Sequence, residues 1–240
     1  MTDDGSRGAT IDMPPTEENV STTRRLGREV ILAEAVRFID AYGRERLTMR
    51  RLGSELGVEA MALYRYVPGR EQLLDGVVEY VLNELYEATM TGELPASWPE
   101  YLRQQAQGVR TLAVDHPRIF PLVATRPPAA PWLRPPLRSL RWVEGFLSGL
   151  AEHGFSKHES VVVYRAFSTF LLGHLLLEAG TLAEAEFESL SSDIEFYESN
   201  DLNRYPRLSE LSAELSQDAF DGEFDDALEA LISRISALHD

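Results

Sequence analysis

The sequence predicts an all-α fold, with a small helix-turn-helix unit at the N-terminus and a larger helical body. Apolar residues recur at helical spacing along most of the chain, no stretch alternates with the period of two that a strand shows, and Gly or Pro closes most periodic stretches. At 240 residues, with 44% hydrophobic and 26% charged residues, the chain is long enough to bury a full core. The absence of cysteine excludes disulfides and thiolate metal sites and fits a reducing compartment.

Residues 1–22 are polar and acidic, which predicts a disordered tail. They contain no apolar signal-peptide core, and no run of the chain approaches the ~18 apolar residues that a membrane span requires. We therefore expect a cytoplasmic protein that does not associate with a membrane.

Residues 23–70 predict a helix-turn-helix domain of three helices. The first helix, 28–42, has one apolar face and ends before Gly43. Thr48 is a good N-cap for the second helix, and Gly57 permits the left-handed backbone of the turn that follows. A short third helix over 59–67 ends at Pro68.

Residues 71–240 predict the larger helical body. Apolar periodicity places its helices at 71–90, 100–114, 117–124, 137–152, 159–179 and 224–238. The proline-rich stretch 127–136 predicts a connector or lid, since it does not fit a regular helix. The stretch 181–218 is acidic and polar, and we expect most of it to be loop or poorly ordered.

The distribution of charge separates the two parts of the chain. The net charge of −16 and pI of about 4.7 at first argue against nucleic acid as a partner. However, residues 20–70 carry ten Arg against six acidic residues, whereas residues 71–240 carry twelve basic and twenty-eight acidic residues. Only the N-terminal unit is therefore suited to a phosphate backbone, although charge alone leaves a chance fluctuation as an open alternative.

The order of residues in the N-terminal unit is specific. The segments 48–58 (TMRRLGSELGV), 63–67 (LYRYV) and 70–74 (REQLL) together resemble the DNA-binding domain of the tetracycline repressor (TetR) family. Such a unit lays its second helix in the major groove of DNA. On periodicity alone, the alternative is any helical hairpin with a solvated arginine face.

The resemblance implies a set of DNA contacts on the exposed face of this unit. The set comprises Arg28, Thr48, Arg50, Ala60, Ala62, Tyr64, Arg65, Tyr66 and Arg70. Tyr64 and Arg70 would hold phosphates. The apolar front at 60–62 departs from the family pattern, because apolar side chains touch thymine methyl groups but make no bidentate base contacts. Base reading therefore falls mainly on Arg65 and Arg50.

The body resembles the effector domain of the tetracycline repressors. The segments 98–106 (WPEYLRQQA), 125–127 (TRP) and 154–156 (GFS) occur in the family's order, with helical spacers between them. The magnesium-binding histidine of a tetracycline site would fall on Leu122, so we do not expect tetracycline–magnesium as the effector. No cofactor motif, nucleophile elbow or zinc-helix motif is present, and we expect neither a cofactor nor an enzyme.

A mostly apolar effector site is expected in the body, with a few polar anchors. The candidate lining residues are Gln105, Val109, Phe120, Leu122, Thr125, Trp142, Phe146, Tyr164, Phe167 and Ser168. For any single one of them, a plain core position is the alternative. The helices 159–179 and 224–238 carry surplus apolar surface, which predicts a homodimer through a four-helix bundle; burial within one chain is the alternative.

Together these observations predict a ligand-responsive DNA-binding transcriptional regulator. We expect a dimeric repressor that a small, mostly apolar effector releases from a palindromic operator. The alternative is a helical sensor or adaptor that has lost DNA binding and acts through protein contacts, which the apolar front at 60–62 favours.

Overall fold

The computed structural model describes residues 26–126, 139–188, 205–217 and 220–239. Within these ranges it is built from ten α-helices and one 3-10 turn, and no strand is present, which confirms the all-α prediction. The predicted tail at 1–22 and the proline-rich connector at 127–136 lie outside the described residues.

The N-terminal unit follows the predicted order. It consists of α1 (Arg28–Tyr42), a 3-10 turn (Arg44–Arg46), α2 (Met49–Glu55) and α3 (Ala60–Leu63). The helix α4 (Arg70–Met90) follows. The core of the unit is made of apolar side chains from α1, α2, α3 and the start of α4: Ile31, Ala35, Ile39, Leu47, Leu52, Leu63, Val67 and Leu73.

The third helix is shorter than predicted. The α-helix covers Ala60–Leu63 rather than 59–67, and the chain continues as turn to Tyr66. The helix ends early because its last carbonyl is shared: the Tyr66 and Val67 amides both donate to the Leu63 carbonyl at 2.9 Å. Pro68 then supplies no amide that could extend the helix.

The body comprises six further helices. They are α5 (Trp98–Asp115), α6 (Phe120–Thr125), α7 (Leu140–Glu152), α8 (Lys157–Glu188), α9 (Pro206–Leu215) and α10 (Phe220–His239). The long helix α8 packs against α5, α6, α7 and α10. The helix α4 packs against α1 in the N-terminal unit and against α5, α6 and α7 in the body, so one helix connects the two parts.

The expectation of loop over 181–218 was wrong for two stretches. The helix α8 continues through Gly180 to Glu188, and α9 forms at Pro206–Leu215. A helical glycine costs only about 1 kcal/mol relative to alanine, which good helix formers after it offset. Beyond Gly180, the Thr181 hydroxyl also donates to the Leu177 carbonyl at 3.2 Å.

The most apolar part of α8 corrects the expectation that no run of the chain approaches the length and apolar content of a membrane span. By length and composition, Lys157–Ala183 could cross a membrane, with a mean hydropathy of 1.5. The helix instead lies in a helical bundle, and 39% of its most apolar window is buried within this chain. Core packing on one face and exposed Val162 and Leu177 on the other account for its composition.

Candidate nucleic-acid interface and ligand cavity

The turn between α2 and α3 depends on two glycines. Gly57 has φ of 66°, the left-handed region that favours glycine. The Val58 amide donates to the Gly53 carbonyl at 2.9 Å, and a Cβ on Gly53 would lie 2.8 Å from the Val58 carbonyl oxygen. Gly53 therefore allows α2 to approach the turn, a role that apolar periodicity does not reveal.

Thr48 begins α2 as predicted. Its side-chain oxygen accepts from the Arg51 amide at 3.2 Å, which satisfies one of the free donors at the start of the helix. The side chain remains exposed on the side of the unit where α2 begins. A contact between Thr48 and DNA stays a prediction.

The exposed surface formed by α2, α3 and the turn after α3 presents both apolar and cationic groups. Arg50 and Arg65 are exposed, and neither forms an ion pair within the part of the chain that the structure describes. Tyr64 and Tyr66 are 42% and 41% exposed, so their hydroxyls are accessible. Met61, which the predicted contact set omitted, is 74% exposed and projects furthest from the apolar front.

The remaining residues of this front are less accessible. Ala60 and Ala62 are half-buried, and Ala60 packs against the core of the unit. Their short side chains leave Met61 as the large apolar group of the first turn of α3. Its exposure is the signal that would have placed it in the contact set.

Two of the predicted DNA contacts also have partners within the chain. Arg70 donates from Nε to the Leu47 carbonyl at 3.1 Å and from Nη2 to the Arg44 carbonyl at 2.8 Å. It therefore ties the start of α4 to the segment before α2. Arg28 pairs with Glu79 of α4 at 2.8 Å, and both side chains are more than half exposed.

The two ends of the segment around α6 are attached to the N-terminal unit and to α4. His116 Nδ1 lies 2.8 Å from Asp40 Oδ2 of α1, and Arg118 donates to the Asp40 carbonyl at 2.6 Å. Asp40 raises the pKa of His116 by this hydrogen bond, against the opposing effect of burial. After α6, Arg126 contacts Asp75 at 2.7 Å and Glu71 at 3.0 Å.

An apolar cavity lies in the body between α4, α5, α6, α7 and α8. Its volume is about 20 Å³, enough for roughly one water-sized molecule. Four of the predicted residues line it: Val109, Phe120, Trp142 and Ser168. The sequence reasoning missed the other seven, Leu82, Leu85, Leu112, Val123, Ser139, Leu171 and Leu172.

The other predicted ligand residues do not line this cavity. Leu122, Phe146, Tyr164 and Phe167 are buried elsewhere in the surrounding core. Phe146 stacks on Trp142 with a centroid distance of 5.2 Å and on Phe167 at 5.0 Å. Burial raises the pKa of Tyr164 to about 12. These four residues therefore form the wall behind the lining.

Thr125 and Gln105 also lie away from the cavity. Thr125 is exposed, and its hydroxyl donates to the Pro121 carbonyl of its own helix at 2.6 Å. Gln105 is fully buried and donates from Nε2 to the Thr89 carbonyl at 3.1 Å. Its Oε1 has no hydrogen-bond partner among the described residues.

A larger cleft opens to solvent beside the cavity. It lies between α4 and α5 and has a volume of about 360 Å³. Leu85 and Leu112 border both the cleft and the cavity, so these two side chains form the partition between them.

Fold and sites together define a class of protein: a DNA-binding transcriptional regulator whose body has the architecture of a ligand-binding domain. Residues 31–77 match the family described as bacterial regulatory proteins, tetR family, and residues 91–238 match the tetracyclin repressor-like C-terminal domain. The chain belongs to the TetR family of transcriptional regulators.

Individual relatives extend this finding. DrrR1, an HTH-type transcriptional repressor of Streptomyces coeruleorubidus, is 28% identical over 222 residues, covering 85% of this chain and 77% of that protein. The class D tetracycline repressor protein of Escherichia coli is 31% identical over 156 residues, covering 63% of this chain and 66% of that repressor. Both relatives are regulators rather than enzymes.

Solved structures show the same fold. ActR of Streptomyces coelicolor, in complex with actinorhodin, superimposes with a TM-score of 0.67 at 23% identity, covering 90% of this chain and 98% of that one. TetR of Acinetobacter baumannii AYE gives a TM-score of 0.67 at 24% identity, covering 90% and 99%.

Proposed function

We propose that this protein is a cytoplasmic, dimeric repressor that a small, mostly apolar effector releases from a palindromic operator. The observation that carries the proposal is the position of α4. Arg70 attaches its start to the segment before α2, while Leu82 and Leu85 farther along it line the cavity. A ligand in the cavity therefore contacts the helix that holds the N-terminal unit.

The two parts of the chain have different functions in this proposal. Residues 23–70 bind DNA, and residues 71–240 bind the effector and form the dimer. Arg65 and Arg50 read bases, with guanine as the favoured partner of an arginine fork. Met61 adds an apolar contact suited to a thymine methyl group. Arg28, Thr48, Tyr64, Tyr66 and Arg70 contact the phosphate backbone.

The dimer uses the outer face of α8. Val162 is 36% and Leu177 70% exposed on a helix whose opposite face is buried in the body. A partner copy would cover these groups by an isologous contact. Most apolar residues of α10 are already buried, Phe224, Leu228, Ile232 and Ile235 among them, so α10 contributes mainly its small and polar outer residues. The resulting two-fold axis places two recognition helices one turn of DNA apart, about 34–36 Å.

Release requires that the effector prefer one state of the protein. The ligand must bind the conformation that is incompetent for DNA more tightly, because equal affinity for both states shifts nothing. The named activities of relatives support this proposal: DrrR1 is a repressor, and ActR was solved with a small molecule bound.

The test begins with selection of bound duplexes from random DNA, followed by affinity measurements at increasing salt. We expect a palindromic consensus and a linear fall of log K with log salt, with a slope of about −0.9 for each phosphate neutralised. The variant Arg50→Ala/Arg65→Ala should lose the consensus, whereas Arg37→Ala, an exposed position on α1, should keep it. Recovery of no duplex would contradict the proposal and favour an adaptor that acts through protein contacts.

A further inference from the structure

A residue of the cavity lining carries a buried donor without an acceptor. Trp142 lines the cavity and is 2% exposed, and its Nε1 has no hydrogen-bond partner within the described ranges. A buried polar group left unpaired is costly, and such groups in native proteins generally have a partner. An indole nitrogen is a donor only, so the missing partner is an acceptor.

The two serines of the described lining differ in their hydrogen bonding. Ser139 begins α7, and its side-chain oxygen accepts from the Trp142 amide at 3.1 Å. Ser168 Oγ is buried and, like Trp142 Nε1, has no hydrogen-bond partner among the described residues, and a hydroxyl can either donate or accept. Trp142 Nε1 is therefore the unpartnered group of the described lining that can only donate, and it requires an acceptor on the bound molecule.

Among the residues that the structure describes, the lining has no group that could balance a charge. Its eleven residues are eight apolar side chains together with Trp142 and the two serines, and none of them is ionisable. An ion in such a place loses its hydration without a counter-charge. The cavity chemistry thus favours an uncharged molecule.

We propose that the effector is an uncharged, largely apolar molecule with one carbonyl-type acceptor that takes the Trp142 Nε1–H. Trp142 is then the specificity-determining residue that distinguishes this molecule from a hydrocarbon of the same shape. The inference rests on the proposed function, in that the cavity is the effector site.

The side chains that separate the cavity from the neighbouring cleft indicate the route by which a ligand enters. At about 20 Å³ the cavity is far smaller than a ligand site, whereas the neighbouring cleft measures about 360 Å³. Only Leu85 and Leu112 are common to both linings, and rotation of these side chains would join the two spaces. The acceptor end of the ligand then lies against Trp142, and Leu85 of α4 moves with ligand entry.

The test uses two probes that differ in one oxygen, 1-indanone and indane. Both are titrated calorimetrically into the full chain without DNA. We expect 1-indanone to bind roughly tenfold more tightly than indane, because the ketone satisfies the buried donor. In ¹⁵N–¹H spectra, the Trp142 indole N–H resonance should move downfield with 1-indanone and much less with indane.

Two variants separate the hydrogen bond from general packing. Trp142→Phe keeps an aromatic ring without the donor and should bind both probes within about twofold of each other. Trp98→Phe is the matched control, since Trp98 lies at the start of α5 outside the cavity lining, and should keep the tenfold preference. If Trp142→Phe does not fold, the shift of the Trp142 indole N–H resonance in the unmodified protein tests for the hydrogen bond instead.

Three results would overturn the inference: equal binding of the two probes, a ketone preference that survives in Trp142→Phe, and binding of neither probe. The proposed function fails separately. Ketone-selective binding with no change in operator affinity would contradict effector-driven release. Trp142 would still be the residue that recognises the acceptor. Operator release by ligands that do not require the Trp142 N–H would contradict the inference and leave the repressor function standing.

Discussion

His116 Nδ1 lies 2.8 Å from Asp40 Oδ2, and this contact joins the end of α5 to the last turns of α1. Both side chains are about three-quarters buried, at 24% and 27% exposure. Arg118 donates to the carbonyl of the same Asp40. The body is therefore attached to the N-terminal unit at α1 as well as through the continuous helix α4.

The contact predicts a pH dependence of stability. Asp40, then Asp115 and Glu84, raise the pKa of His116, while burial opposes them and Arg118 adds a cation nearby. A histidine with a raised folded pKa contributes stability that is fully present below its unfolded pKa of about 6.5 and lost as pH rises through the folded value. We expect the free energy of unfolding to fall over this window.

Urea unfolding at several pH values between about 5.5 and 8.5 measures this loss. His116→Gln should flatten the dependence, whereas His158→Gln, at an exposed position of α8, should leave it as in the unmodified protein. A His116→Gln profile that parallels the original would remove the assignment.

Arg65 and Arg70 are expected to act differently on DNA. Arg65→Ala should weaken binding to the selected operator by roughly 10- to 100-fold, with little change on scrambled duplex, because a base contact is lost. Arg70→Ala should weaken binding to both duplexes alike and also lower the stability of the N-terminal unit, since it removes the hydrogen bonds to Leu47 and Arg44. Gel shifts on the two duplexes, with Arg37→Ala as a control, measure both effects. Equal losses on both duplexes for Arg65→Ala would contradict its role as a base reader.

Gly53→Ala tests the close approach of α2 to the turn. The new Cβ would lie 2.8 Å from the Val58 carbonyl oxygen, a backbone atom that has little room to move. We expect a loss of about 1–3 kcal/mol in the free energy of unfolding, and weaker DNA binding with it. Gly92→Ala, where a Cβ meets no atom within 4 Å, should change the unfolding free energy little. A Gly53→Ala protein as stable as its parent would show that the turn is adaptable.

The buried ion pair of the body gives a fourth prediction. Arg110 and Glu178 lie 2.6 Å apart with side chains 12% and 6% exposed, and the Arg110 guanidinium stands 4.9 Å from the Phe224 ring centre. Arg110→Met leaves a carboxylate buried without its cation and should cost about 3–5 kcal/mol. The double variant Arg110→Met/Glu178→Met should recover most of that loss.

Chemical denaturation measures these changes in the free energy of unfolding. The exposed ion pair of Arg103 with Glu229 is the matched control for the buried pair. Removal of Arg103 should cost no more than about 1 kcal/mol, because solvent screens a surface pair. A double variant as unstable as Arg110→Met alone would indicate that the buried pair stabilises the bundle by its own attraction.

Much of the fold was predictable because apolar periodicity reports burial directly. The bounds of α1 matched the prediction, and Thr48 and Gly57 predicted the cap and the turn. The end of α8 was not predictable from Gly180, since a glycine ends a helix only when the residues after it favour another conformation. Periodicity also does not predict which side chains contact each other: it indicates that Arg110 and Glu178 lie on helices but not that they form an ion pair.

The lining of the apolar cavity was predicted in part for a related reason. Burial alone does not distinguish a residue that borders a cavity from one in the wall behind it, so Phe120 and Trp142 line the cavity while Phe146 and Phe167 do not, and their binding of a ligand stays a prediction. Leu82 and Leu85 were missed because they lie on the helix that also packs against the N-terminal unit. That double role of α4 is visible only once the helices are assembled.

In the proposed mechanism, ligand in the cavity and DNA on the N-terminal unit oppose each other through α4. The most direct measurement is the calorimetric affinity of the protein for 1-indanone, alone and saturated with the selected operator duplex. Linkage requires any effect of ligand on DNA binding to appear equally as an effect of DNA on ligand binding. We expect an affinity about tenfold or more lower on the operator complex; equal affinities in the two states would show that ligand and DNA do not oppose each other.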